Sequence, residues 1–253
     1  MHSIRSVNHG AGVIMESREL TRVPEVTFRT RNDAGWQELT STDLFAGKTV
    51  VVFSLPGAFT PTCSATHLPR YEELAPVFNS EGVADIICLS VNDGFIMYAW
   101  QNEQAIRNVR LIPDGNGDFT EQMGMLVDKS DLGFGSRSWR YSMLVKDGVI
   151  EKMFIEKEIE GDPFEVSDAE TMLRYINQDV VIPECVAIIT REGCPHCLRA
   201  KEILNARKIR FNEIVLGKDI EQTALQGLTG STSVPQVFIG GKLIGGADEL
   251  EAA

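Results

Sequence analysis

Two cysteines of this chain stand in the same local setting, and that setting limits the fold more than any other feature of the sequence. The first cysteine of Cys194-Pro195-His196-Cys197 follows an apolar run at residues 186–190, and a helical pattern begins directly after the motif. Cys63 likewise follows an apolar run, at residues 50–55, and a turn, and it opens a helix-like stretch. At such a junction the unpaired backbone N–H groups of the first helical turn favour a thiolate over a thiol. The sequence therefore predicts two thiol redox centres on two similar α/β scaffolds.

The rest of the chain supports two α/β domains. From Val26 onward, short apolar runs alternate with amphipathic stretches, as in α/β proteins. This pattern lapses after residue 177, where Pro183 blocks continuation of a helix, and a shorter α/β series begins at residue 186. We predict a disordered leader at residues 1–21, a larger domain at 22–177, a linker at 178–184 and a smaller domain at 185–253.

The pattern also predicts the individual elements. In the larger domain, strands are predicted at residues 26–29, 50–55, 85–91, 110–113, 140–146 and 149–155, and helices at 63–79, 94–105 and 167–177. An Asp147-Gly148 pair between the last two strands indicates a hairpin turn. In the smaller domain, strands are predicted at 186–190, 211–215, 236–239 and 242–244, with helices at 195–208 and 219–228 and a last helix from Gly246.

Charge and cysteine count indicate the setting in which the chain works. A net charge of -12 argues against nucleic acid or an anionic membrane as a partner, because phosphate binding relies on clustered Lys and Arg. No apolar run is long enough to span a membrane, and residues 1–14 lack the apolar segment of a secretory signal. Five cysteines are an odd number and too few for a disulfide scaffold, so we expect reduced thiols and a cytoplasmic protein.

A Cys-x-x-Cys motif also forms half of many zinc sites. A four-ligand zinc site needs a second pair of ligands, and the spare candidates, Cys185 and His196, do not have the usual spacing. We therefore expect no metal site, and we interpret the motif as redox-active.

Two further motifs follow the cysteine pair: Ser233-Val234-Pro235 before a predicted strand, and Gly245-Gly246-Ala247-Asp248 at the start of the last helix. With Cys-Pro-x-Cys, they make residues 185–253 resemble a dithiol glutaredoxin. The resemblance implies that Cys194 is the nucleophile, that Cys197 closes a disulfide with it, and that Pro235 is cis. It also implies a glutathione site. In that site, Arg191 binds the glycyl carboxylate, and the Val234 backbone pairs with the cysteinyl unit. The Gly246 and Ala247 N–H groups bind the γ-glutamyl carboxylate, and Asp248 binds the γ-glutamyl ammonium. Ser231 stands where glutaredoxins often have Arg, so we expect weaker glutathione affinity.

The segment before Cys63 reads Pro-x-x-x-Thr-x-x-Cys, from Pro56 through Thr60. This motif is similar to the peroxiredoxin signature, and residues 22–177 resemble the type II class that includes mammalian peroxiredoxin five. The resemblance implies that Cys63 attacks the peroxide, that Thr60 bonds a peroxide oxygen, and that Pro56 shields the oxidised sulfur. It also implies that Arg140 stabilises the thiolate and orients the peroxide. From the residues alone, a surface ion pair is the simpler interpretation of Arg140.

Three other residues are of types that can carry chemistry. Cys88 lies in a strand that is almost wholly apolar, and we interpret it as a buried structural cysteine. Cys185 lies at the edge of the linker, so the oxidised Cys63 has no obvious internal partner. His67 has no plausible metal partners, and we interpret it as a structural histidine.

Taken together, the two resemblances imply two thioredoxin-like domains and a glutathione-dependent thiol peroxidase, an oxidoreductase of hydrogen peroxide and alkyl hydroperoxides. Cys63 would become a sulfenic acid, condense with glutathione and be regenerated through Cys194. We expect no bound cofactor, glutathione as the co-substrate recycled by glutathione reductase and NADPH, and a homodimer or tetramer. The alternatives are a general dithiol reductase, a redox sensor that oxidises a partner protein, and an iron-sulfur-binding module, although modules of that last kind usually carry Cys-Gly-Phe-Ser.

Overall fold

A computed structural model describes residues 15–157, 159, 161–207 and 209–253. Contacts divide the chain into two compact units, the first ending at Val180 and the second running from Val181 to Ala253. The predicted linker at residues 178–184 spans this division. In these described ranges, no helix is both long and apolar enough to cross a bilayer.

A five-stranded sheet forms the centre of the first unit. The strands of this unit are β1 (Thr27–Asn32), β2 (Gly35–Thr40), β3 (Thr49–Ser54), β4 (Asp85–Ser90), β5 (Arg110–Pro113), β6 (Leu126–Asp128), β7 (Ser136–Ser138), β8 (Tyr141–Lys146) and β9 (Val149–Ile155). The central sheet has the order β5-β4-β3-β8-β9, in which β3, β4 and β5 are parallel and β8 is antiparallel to both of its neighbours. Two small antiparallel pairs, β1-β2 and β6-β7, flank it.

The helices of the first unit are α1 (Ser41–Phe45), α2 (Leu68–Ser80), α3 (Gly94–Glu103), α4 (Asp118–Gln122) and α5 (Ala169–Ile176). Asp93 and Asp168 cap α3 and α5, because each side chain accepts a hydrogen bond from backbone N–H groups of the first turn. A π-helical turn, Cys63–His67, precedes α2, and Ser130–Leu132 forms a 3₁₀ turn. Pro69 has no N–H to continue an ordinary α-helical ladder at this point, which accounts for the wider turn.

All predicted strands and helices of the larger domain are present, with ends shifted by a few residues. The Asp147-Gly148 hairpin is confirmed, since both residues have positive φ, at 47° and 76°. Five short elements were not predicted: β2, β6, β7, α1 and α4. No residue of β2 is buried, so the strand has no buried alternation to detect, and α1 and α4 contain only 5 residues each.

Residues 15–21 differ from the prediction of a leader at residues 1–21. Residues 1–14 of that prediction lie outside the described residues. The Leu20 N–H donates to the Ile150 carbonyl at 2.8 Å, and the Ile150 N–H donates to the Thr21 carbonyl at 2.9 Å. Met15 packs against the core of the first unit. Leu20 and Thr21 thus pair with the edge strand β9, and such pairing depends on unpaired backbone groups rather than on any periodicity of the paired segment.

The second unit is a four-stranded sheet with helices on both faces. Its elements are β10 (Val186–Thr190), α6 (Pro195–Ala206), β11 (Asn212–Val215), α7 (Gln222–Thr229), β12 (Gln236–Ile239), β13 (Lys242–Gly245) and α8 (Ala247–Ala252). The sheet order is β11-β10-β12-β13. Ile188 packs in one hydrophobic cluster with α6 and α8, whereas the adjacent Ile189 packs in another with α7, as alternate strand residues must. The order of elements agrees with the prediction, and the Val234–Pro235 bond is cis as predicted.

Candidate functional site

The sheet register brings Arg140 to Cys63 across a separation of 77 positions. In the antiparallel pair β3-β8, Tyr141 lies opposite Ser54, the last residue of β3. Arg140 precedes Tyr141, so it lies beyond the end of β3, on the side where the chain turns toward Cys63. Its Nη2 lies 3.5 Å from the Cys63 Sγ, and Cys63 is 0% exposed. An adjacent guanidinium favours the thiolate, which is the nucleophilic form of cysteine.

Arg140 is itself buried, with 1% of its surface exposed. Its Nη2 also contacts both carboxylate oxygens of Asp162, each at 2.6 Å, and its guanidinium carbon lies 5.5 Å from the centre of the Phe164 ring. Burial opposes the charged form, but the facing Cys63 sulfur and the Asp162 carboxylate more than offset it and raise the pKa of Arg140. The simpler interpretation of Arg140 as a surface ion pair is therefore wrong, because the whole side chain faces the interior.

His67 contacts the guanidinium of Arg140 through its imidazole ring. Its Nδ1 lies 2.9 Å from Arg140 Nη1, and its Nε2 lies 3.2 Å from the Ser167 carbonyl. A guanidinium can only donate, so Nδ1 accepts and the proton is on Nε2, which donates to Ser167. Burial, and then the charge of Arg140, hold the pKa of His67 well below its usual range. His67 is therefore a neutral acceptor for the guanidinium, a role that the sequence analysis missed although His67 lies one turn after Cys63.

Three predicted residues meet at a small cavity. Pro56, Thr60 and Arg140 line a volume of about 170 Å³, together with a largely apolar wall that includes Leu132, Phe134 and Trp139. The Thr60 hydroxyl donates to the Gly57 carbonyl at 2.9 Å, which leaves its oxygen able to accept a hydrogen bond. A small molecule in this cavity would thus meet a fixed cation and a hydroxyl acceptor against an apolar wall.

Cys88 is buried in β4, as expected of a structural cysteine. It is 0% exposed. Burial, and then the negative charge of the nearby Cys63, raise the pKa of the Cys88 thiol well above its usual range. The thiol of Cys88 therefore stays protonated at neutral pH.

The two cysteines of the second unit are placed differently. Cys194 is the N-cap of α6, and its Sγ accepts the Cys197 N–H at 3.3 Å. Partial burial works against ionisation of Cys194, but hydrogen bonds from the Cys197 thiol and from backbone N–H groups, together with the charge of Arg191, lower its pKa. Cys197 is 2% exposed, and burial, followed by its hydrogen bond to Cys194, raises its pKa to about 11. Cys194 is thus the more nucleophilic thiol.

The residues predicted to bind glutathione lie in two groups. Arg191 lines a cavity of about 500 Å³ with Cys194 and Cys197, and it donates to Gln222 at 3.1 Å. The Val234 carbonyl lies 3.9 Å from the Cys194 Sγ. These contacts place Arg191 and Val234 beside the Cys194 sulfur.

At the start of α8, the predicted ligands have partners within the chain. The Gly246 N–H donates to a Glu249 carboxylate oxygen at 2.8 Å, and Asp248 forms an ion pair with Arg199. Ala247 is buried. A Cβ on Gly246 would lie 3.6 Å from the Pro235 carbonyl, so this turn packs directly on the cis-proline loop. Glutathione would have to displace both internal partners, Glu249 and Arg199, to bind as the resemblance implies.

Among the described residues, no three potential ligands are grouped to hold a metal ion.

Comparison with known proteins gives two matching families. The Redoxin family matches residues 20–173, and the Glutaredoxin family matches residues 186–244. The chain is 58% identical to the hybrid peroxiredoxin hyPrx5 of Haemophilus influenzae, over 94% of this chain and 98% of that protein. It is also 58% identical to the peroxiredoxin sll1621 of Synechocystis, over 61% of this chain and 89% of that protein.

Solved structures match the first part of the chain. Reduced Prx3 of Vibrio vulnificus, in complex with H2O2, superimposes with a TM-score of 0.60 at 38% identity, over 64% of this chain and 99% of that chain. The antioxidant protein of Plasmodium falciparum, a 1-Cys peroxiredoxin, superimposes with a TM-score of 0.61 at 33% identity, over 64% of this chain and 100% of that chain.

Proposed function

This chain belongs to the peroxiredoxins, as a redoxin domain joined to a glutaredoxin domain, and on that premise we propose that it is a glutathione-dependent thiol peroxidase. As a peroxiredoxin, the protein is a peroxidase of the oxidoreductase class. The observation that carries the assignment of Cys63 as the reacting thiol is the contact of 3.5 Å between its sulfur and the buried Arg140 guanidinium.

In the proposed reaction, the Cys63 thiolate attacks one oxygen of the hydroperoxide. The O–O bond breaks, Cys63 becomes a sulfenic acid, and the second oxygen leaves as hydroxide or alkoxide and takes up a proton. Arg140 stabilises the negative charge as it moves from sulfur to the leaving oxygen. The Thr60 hydroxyl accepts a hydrogen bond from the hydroperoxide, and Pro56 covers the sulfenic acid against a second oxidation.

We propose that both hydrogen peroxide and small alkyl hydroperoxides are substrates. Binding of H2O2 by the Vibrio vulnificus relative supports the first. The largely apolar wall of the cavity, with Leu132, Phe134 and Trp139, supports the second, because it offers an alkyl group a surface away from water.

Regeneration uses the second unit. Glutathione condenses with the sulfenic acid, releases water and forms a mixed disulfide with Cys63. The Cys194 thiolate then attacks the glutathione sulfur, and Cys63 leaves as a thiolate. In one route, a second glutathione attacks the glutathione sulfur bound to Cys194 and releases Cys194 and oxidised glutathione. In the other route, Cys197 attacks the Cys194 sulfur and releases glutathione, and further glutathione then reduces the Cys194–Cys197 disulfide. The lowered pKa of Cys194 and the pKa of about 11 for Cys197 support this order of attack.

Joining the two units in one chain gives the reductant an effective concentration of about millimolar for a short linker. We propose that glutathione reductase and NADPH recycle the oxidised glutathione, that the protein works in the reducing cytoplasm, and that it assembles as a homodimer or tetramer.

The proposal is tested by an NADPH-coupled assay with glutathione, glutathione reductase and hydrogen peroxide. We expect Cys63→Ser and Cys194→Ser to abolish turnover, Cys197→Ser to retain part of it, and Cys88→Ser, the matched control, to retain most of it. Turnover that survives Cys63→Ser would contradict the peroxidase assignment. Rapid oxidation of Cys63 without catalytic turnover would instead favour the redox sensor.

A further inference from the structure

Asp162 binds the guanidinium of Arg140 directly beside the reacting sulfur. Both carboxylate oxygens lie 2.6 Å from Nη2, and one lies 3.3 Å from Nε. The Arg140 side chain is 2% exposed, whereas that of Asp162 is 41% exposed and lines the cavity next to Thr60 and Pro56. We propose that Asp162 is a positioning residue for the peroxidase reaction, whose carboxylate fixes the guanidinium of Arg140 in the orientation that faces Cys63.

The geometry of the guanidinium explains why this carboxylate is needed. A guanidinium is planar and donates in fixed directions. Nη1 donates to His67, and Nε and Nη2 both donate to Asp162. The Cys63 sulfur lies 3.5 Å from the same Nη2. Because His67 and Asp162 hold the guanidinium in place, the second N–H of Nη2 is directed at the Cys63 sulfur. Without Asp162, only His67 and the Phe164 ring would limit rotation of the group.

The segment that carries Asp162 is anchored on Arg140 itself. It is the loop 156–167, of which residues 158 and 160 lie outside the described residues. Its first residue, Glu156, donates its N–H to the Arg140 carbonyl at 3.1 Å. Glu156 is 3% exposed, and its carboxylate accepts the N–H groups of Glu165, Val166 and Ser167 at 2.9, 2.9 and 2.8 Å. The loop is thus closed at both ends, which holds Asp162 and Phe164 against the guanidinium.

The same carboxylate has a second, opposite effect on the sulfur. Its negative charge counteracts part of the positive charge that Arg140 presents to Cys63. Asp162 should therefore make the peroxide reaction faster through orientation while making the thiolate less stable through charge. A residue with a merely structural role would not change these two properties in opposite directions.

The inference rests on the proposed roles of Cys63 and Arg140. The experiment distinguishes a failure of this inference from a failure of those proposed roles. In the full-length reduced protein, the rate of alkylation of Cys63 by iodoacetamide is followed from pH 4 to 9 by mass spectrometry of the Cys63 peptide. The rate of peroxide reduction is measured by stopped flow. Arg140, Asp162, His67 and Cys88 are the titratable groups that the contacts and charges above place around Cys63. Loss of peroxide reduction in Cys63→Ser establishes the peroxidase assignment independently.

For Asp162→Asn, we expect peroxide reduction to slow by about tenfold or more, the effect of losing one charge-assisted contact to an oriented catalytic group. We also expect the alkylation profile to move to lower pH, with a rate at pH 6 about threefold higher or more. Asp162→Glu, which keeps the charge, should leave the profile near that of the wild type. The matched control is Asp85→Asn, which removes a carboxylate held by Arg110 at 2.9 Å on the same unit and should change neither rate by more than about twofold. Any other combination for Asp162→Asn, including unchanged rates or a parallel fall of both, overturns the proposal.

Discussion

Substitution of Glu156 tests whether its buried carboxylate holds the loop 156–167 in place. One carboxylate oxygen accepts three backbone N–H groups and the Ser167 hydroxyl, the last at 2.7 Å. Glu156→Ala leaves those donors without a partner, and Ser167 is 0% exposed, so water cannot easily replace the carboxylate there. Each unsatisfied buried donor costs about 1–3 kcal/mol. Because Glu165 at the loop surface can bond to water, we expect a total loss of about 3–5 kcal/mol.

The glutamine variant separates the acceptor from the charge. Glu156→Gln keeps an oxygen in place and loses only the charge assistance, so we expect a loss of about 1–2 kcal/mol. Glu165→Ala is the control in the same loop, because its exposed carboxylate only faces Lys157 at 3.4 Å, and it should cost less than about 0.5 kcal/mol.

The assay is urea unfolding followed by tryptophan fluorescence. All three tryptophans, Trp36, Trp100 and Trp139, lie in the first unit, so the signal reports that unit alone. Trp139 is a local probe as well, since its ring N–H donates to the Glu156 carbonyl at 2.8 Å. A loss below about 1 kcal/mol for Glu156→Ala, or a loss equal to that of Glu165→Ala, would show that the carboxylate does not hold the loop.

Three further predictions concern the surroundings of Cys63 and the second unit. His67→Leu removes the acceptor at Arg140 Nη1, and we expect peroxide reduction by stopped flow to slow by about tenfold, whereas an unchanged rate would contradict the role of the imidazole. The pKa of Cys197 is raised to about 11 in the folded state, so its contribution to stability is complete below the unfolded pKa of about 8.5 and is lost as pH rises toward 11. Thermal unfolding of the reduced protein between pH 8 and 11 should show this loss of stability. In Cys197→Ala, the loss of stability over the same pH range should be smaller. Arg199→Ala releases the carboxylate of Asp248, so the KM for a glutathione mixed disulfide should fall at constant kcat, and a KM that rises would indicate that the ion pair supports the site.

Local sequence was enough to locate the two cysteines that we propose as reactive. A strand, a turn and a helix start are each specified by neighbouring residues, so the position of Cys63 after β3 and of Cys194 at the N-cap of α6 could be read from apolar runs and turn residues. The same local signals gave the two α/β units, the Asp147-Gly148 hairpin and the strands of the central sheet. The resemblance to known families, rather than any spacing, pointed to Arg140.

Tertiary structure alone decided what surrounds Cys63. The β3-β8 register places Arg140 beyond the end of β3 and next to Cys63, and no local pattern records that register. His67, Asp162 and Phe164 then surround the buried guanidinium. Asp162 and Glu156 belong to a loop without periodicity, so nothing in the local sequence distinguishes them from ordinary surface carboxylates. Only the fold brings Asp162 against Arg140 and Glu156 against the backbone of the loop. Leu20 and Thr21 gave no local signal for the same reason, since they pair with β9, a strand far along the chain. Contacts between distant segments depend on the three-dimensional path of the chain, which short-range periodicity does not encode.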